Sequence, residues 1–100
     1  MLSSNNGWLF GQLRGMPGVV VEPGYTHLIR AEKDGHHYRI YTPTPDEYII
    51  SADLVQKARD LGANTLSFPS WCRAAREGIL HGQDVGVDVM PHGRLLDILS

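Results

Sequence analysis

Alternation of apolar and polar residues is clearest between His27 and Thr42, HLIRAEKDGHHYRIYT, where two period-two runs flank Asp34-Gly35. Period two is the repeat of a strand with one buried face, and Asp-Gly suits a two-residue hairpin loop, whose central residues both need positive φ. Such a loop sets the register: Lys33 faces His36, Ala31 faces Tyr38 and Ile29 faces Ile40. Ile29, Ala31, Tyr38 and Ile40 then share one face. The other carries Leu28, Arg30, Glu32, His37, Arg39 and Tyr41 and reads as largely solvated or functional. Upstream, the β-branched run Gly18-Val-Val-Val-Glu22 closes on Pro23-Gly24, the pattern of a short strand ending in a tight turn. Within residues 1–16, Trp8, Leu9, Phe10 and Leu13 suit one face of a short helix or ordered arm, although Gly7, Gly11 and Gly15 weaken helix formation.

Beyond the hairpin the period lengthens. After a loop holding Pro43, Pro45 and Asp46, Ser51 can cap a helix with Asp53 in its first turn, a stripe of Leu54, Val55, Ala58 and Leu61, and Gly62 as its stop. Ala63-Asn-Thr-Leu-Ser-Phe68 reads as a short buried strand bounded by Gly62 and Pro69. Ser70 is the expected cap of a second helix carrying Cys72, Ala75 and Ile79, with Gly82 beyond its end. Val85, Val87 and Val89 alternate as a last strand, and Arg94 to Leu99 forms a closing turn through Leu95, Leu96 and Leu99. The later strands are joined by crossovers long enough for parallel pairing. The expectation is one α/β domain over residues 1–100: a hairpin followed by helix-strand-helix-strand crossovers, with a mixed sheet flanked by helices in two or three layers.

Composition narrows the function. One hundred residues allow a single modest core. A formal net charge of -2 supplies no global attraction to phosphate, so nucleic-acid binding would need a local patch of Lys and Arg. The lone Cys72 cannot form an internal disulfide, and no apolar run approaches a membrane span, which points to a cytoplasmic protein without a membrane partner.

The stretch ANTLSFPSWCRAAREGILHGQDVGVDVMPHGRLLDIL, together with the hairpin HLIRAEKDGHHYRIYT, resembles the catalytic domain of Mrr-type restriction endonucleases over about residues 18 to 99. The resemblance implies a restriction-endonuclease-like fold whose hairpin carries an acid, then an acid or glutamine, and a lysine two residues later, holding Mg²⁺ and an attacking water. The matching positions here are His27, Ile40 and Thr42, which do not reproduce that chemistry. The expectation is a nuclease-like protein that does not cut and needs no cofactor, binding DNA, RNA or a nucleic-acid-processing protein.

Arg30 and Arg39 are the leading binding residues, since the hairpin register sets them directly opposite each other, unfavourable unless an anion or acid intervenes. His37 and Tyr41 extend that face, and a diagonal Arg39–Glu32 pair is the plainer alternative. The five histidines show no zinc-ligand spacing. Cys72 near a helix start, with His92 as base, is a conceivable nucleophile, but its place on the apolar stripe favours a core cysteine. No GKS or GKT follows the glycines, so no phosphate loop is present. Two further functions remain open: a divergent metal-dependent nuclease using Glu22, Glu32 or Asp46, and a homodimer joined through Trp8, Leu9 and Phe10 of the N-terminal arm.

Overall fold

The computed structural model describes residues 4–22 and 28–100. In chain order they form α1 (Ser4–Arg14), β1 (Val20–Val21), β2 (Ile29–Lys33), β3 (His36–Tyr41), β4 (Ile49–Ile50), α2 (Ala52–Asp60), β5 (Thr65–Phe68), β6 (Arg73–Ala74), α3 (Arg76–Val85), β7 (Asp88–Pro91) and α4 (His92–Leu99). The main sheet has the order β1-β2-β3-β5-β7; its first three strands are antiparallel, and β5 and β7 run parallel to β3. This is the expected α/β architecture, a mixed five-stranded sheet flanked by helices.

The hairpin follows its local chemistry. Asp34 and Gly35 take φ of 52° and 81°, and Ile29 pairs with Ile40, Arg30 with Arg39, Ala31 with Tyr38 and Lys33 with His36. Strand alternation then divides the core. Ile29 and Ile40 pack with Leu9 and Leu13 of α1 and with Leu95 and Leu99 of α4, while Leu28, Tyr41 and Leu66 pack with Leu54, Val55 and Ala58 of α2. The sheet is therefore sandwiched between an α1/α4 layer and an α2/α3 layer. Each fully buried leucine or isoleucine contributes roughly 1.5–3 kcal/mol. Ser51 caps α2 as expected, its Oγ accepting from the Leu54 N–H at 3.2 Å.

Of the two forms expected for the N-terminal segment, the structure takes the helix, with Leu9 and Leu13 fully buried in the core. Three expectations need correction. Ser70 caps no helix: Cys72 N–H donates back to Pro69 in a turn, and Arg73–Ala74 pairs in parallel with Ile49–Ile50, delaying α3 to Arg76. Two-residue strands carry no period, so sequence pattern does not reveal them. Gly82 lies inside α3, and the inward face of that helix is Gly78 and Gly82 rather than Ile79, which is exposed. A Cβ at Gly78 would lie 2.2 Å from the Ile50 carbonyl oxygen, and one at Gly82 would lie 2.5 Å from that of Val87. α3 thus packs through its backbone, and bulky apolar residues do not mark its buried side. Val85 closes α3 instead of opening β7, with Gly86 as its left-handed cap at φ 79°. His27 and the Pro23-Gly24 turn lie outside the described residues. Among those described, no helix is long and apolar enough to cross a membrane.

Candidate functional site

The crossover helices cover the β3-β5-β7 side of their sheet face and leave the β1-β2-β3 side open. Val20 pairs with Glu32, and the Glu22 N–H donates to the Arg30 carbonyl at 2.9 Å. One row across the open side therefore runs Glu22, Arg30, Arg39, and the next runs Val20, Glu32, His37. These six residues line a recess of about 280 Å³.

The two arginines are held differently. Arg39 Nε donates to the Gly62 carbonyl at 2.6 Å, just past the C-terminus of α2, where a cation meets the negative end of the helix dipole. Its backbone N–H donates to Asn64 Oδ1 at 2.8 Å, and Asn64 Nδ2 donates to the His37 carbonyl at 2.9 Å, so one amide side chain continues the ladder beyond the start of β5. Arg30 forms no ion pair or side-chain hydrogen bond with another described residue. Glu32 lies 3.7 Å from His37 Nε2 rather than pairing with Arg39. Arg30, Arg39 and His37 thus meet on one exposed surface, with two carboxylates at its flank.

Tyr41 is not part of this recess. It shares the sheet face but lies under α2, 4% exposed, and its hydroxyl donates to Glu47 Oε1 at 2.6 Å. Lys57 Nζ donates to Glu47 Oε2 at 2.7 Å and sits 5.7 Å from the Tyr41 ring centroid; the Thr44 N–H supplies a further bond to Glu47 at 3.0 Å. Burial, then the Glu47 bond, pushes the Tyr41 hydroxyl up to about 12. Burial pulls the Glu47 carboxyl upward, yet its bonds from Lys57, Tyr41 and Thr44 leave it below its ordinary value. The Glu47 bond raises Lys57. Both carboxylate oxygens are taken, so the cluster anchors the β3–α2 loop.

Of the three positions singled out by the nuclease resemblance, two are described. Ile40 is buried against α1 and α4, Thr42 is 3% exposed with its Oγ1 unpartnered among the described residues, and His27 lies outside them. Glu22 and Glu32 line the arginine recess, whereas Asp46 lines a different groove beside α2. Among the described residues no three His, Cys, Asp or Glu side chains gather to hold a metal ion. Cys72 packs against the α2/α3 core rather than at a helix start; burial, then the charge of Glu47, raises its thiol.

Sequence reading missed a second polar arrangement. Ser67 Oγ lies 2.5 Å from His92 Nδ1, joining the C-terminal part of β5 to the first residue of α4, and both residues are buried. Trp8 stacks on the imidazole with ring centroids 5.7 Å apart and an angle of 24°. Burial lowers His92 to about 4, so the ring is neutral near pH 7. Thr65 and Ser67 alternating with Leu66 in an otherwise buried strand were the available signal. No family model, curated protein or solved structure matches the chain.

Proposed function

We propose that this is a non-catalytic binding protein with a restriction-endonuclease-like layout, and that it engages the phosphate backbone of nucleic acid through the open hairpin face. The observation that carries the reading is the opposed pair Arg30 and Arg39 on the part of the sheet that neither crossover helix covers. The Gly62 bond fixes the direction of Arg39 while leaving its terminal N–H groups for an acceptor, and Arg30 is available beside it. A phosphate between them accepts charge-assisted hydrogen bonds and relieves the like-charge contact. Burial of Ile40 and Thr42 supports binding without cleavage.

Two arginines flanked by Glu22 and Glu32 suit a weak, salt-sensitive contact. Fluorescence polarisation with labelled single-stranded and duplex DNA and RNA, in Mg²⁺, tests it. The expected slope of log affinity against log salt is about -1.8 for duplex DNA and about -1.4 for single strands, as for roughly two phosphates neutralised. Replacing Arg30 and Arg39 together by alanine should weaken binding at least tenfold with the fold retained. Unchanged binding in that variant would remove the site, cleavage of the strand would return a metal-dependent enzyme to favour, and absence of binding to all four ligands would leave a protein partner as the occupant.

A further inference from the structure

At the carboxyl ends of β5 and β7, the edge where open α/β sheets commonly bind ligands, lies a recess of about 370 Å³, large enough for a small organic molecule. Trp8, Phe68, Pro69 and Pro91 give it flat apolar walls, and His92 and Gly93 bring α4 to its edge. Two features supply polarity. The first is His92, 6% exposed, whose Nε2 has no hydrogen-bond partner among the described residues. No other bond joins Ser67 Oγ to a described residue, so the arrangement that leaves no hydroxyl proton stranded has Ser67 donating to Nδ1. The proton of the neutral ring then sits on Nε2, making it an unspent donor.

The second feature is the start of α4. Pro91 at the cap position offers no side-chain bond, and no acidic residue lies in the first turn, so the positive end of the dipole is uncompensated. Gly93 occupies the second helical position. A Cβ there would meet nothing within 4 Å, and its φ is not positive, so neither packing nor backbone geometry calls for glycine. A bare Cα does let a ligand approach the helix start closely.

We propose that this recess binds a planar aromatic carboxylate, its ring against Phe68 and the prolines in place of the Trp8 indole and its carboxylate between His92 Nε2–H and the first turn of α4. Nε2 has no solvent contact beneath the Trp8 ring, and Trp8 is itself half-exposed, so the ligand reaches the donor when that indole swings off its loose stack.

That movement supplies the readout. Trp71 lies outside the recess, so in a Trp71→Phe chain the fluorescence reports Trp8 alone. Titration with benzoate should give a saturable change with a Kd of roughly millimolar or tighter, reasonable for so small a ligand, and toluene should bind at least tenfold more weakly. Gly93→Ala should favour the helix yet weaken benzoate at least threefold. In the unmutated protein, imidazole ¹⁵N spectra should show a proton on Nε2 whose resonance moves when benzoate is added. No saturable change, toluene binding as tightly as benzoate, undiminished binding by Gly93→Ala, or a ring protonated on Nδ1 that benzoate leaves unmoved would each overturn the proposal.

Discussion

The arginine recess and the His92 recess lie at different parts of the sheet and use opposite physics. In the first, charged groups stay in water: Arg30, Arg39 and His37 are exposed, and their contacts are screened and individually weak. In the second, one neutral imidazole is sealed beside Ser67 beneath an indole, where a single hydrogen bond counts for more and an unsatisfied one costs more. A surface site can therefore be altered with little effect on the fold, whereas a buried site cannot be separated from it. α1 makes this concrete, because the helix that buries Leu9 and Leu13 also carries Trp8 over His92.

The sharpest way to break the contrast is to weaken the α1 anchor. Leu9→Ala or Leu13→Ala should cost about 2–5 kcal/mol in urea unfolding, since each leaves a cavity in the α1/α4 layer. A loss below 1 kcal/mol would show that α1 is not integral to the core.

Acid supplies the next largest effect. Unfolded His92 titrates near its ordinary 6.5 and folded His92 near about 4, so between these values the unfolded chain holds a proton that the folded chain excludes. Stability from this group is intact above about 6.5, falls with pH through that window and is fully lost near 4, a change on the order of 3 kcal/mol. Glu47 is displaced in the same direction, its folded carboxyl lying below its ordinary 4.5, so it too loses stability as pH falls, but only from about 4.5 downward, at the lower edge of the His92 window. Thermal melts of His92→Gln between pH 7 and 4.5 should be flatter than those of the unmutated chain; equal slopes would place the titration elsewhere.

The smallest effects belong to the hairpin face. Arg39→Ala should cost about 1 kcal/mol by freeing the Gly62 carbonyl. Arg30→Ala should stay within about 0.5 kcal/mol in the same unfolding assay, as expected of an exposed side chain. A large loss at Arg30 would mean that it is structural, and the contrast between the two regions would narrow.

What the sequence by itself determined is whatever short-range physics decides. Asp34-Gly35 selects a turn that sets the whole Arg30–Arg39 register, and Ser51 caps its helix through a residue three positions away. The opposed arginines were therefore legible. Tertiary structure decided the rest, because the partners are remote in the chain. Tyr41 alternates onto the arginine face, but only the placement of α2 buries it; Gly78 and Gly82 become an inward face only where Ile50 and Val87 press on α3; and Ser67 finds His92 twenty-five residues away because β5 and β7 are neighbours. Local dihedral preferences and periodicity act over a few residues, while close packing and buried hydrogen bonds depend on which distant elements the sheet order brings together.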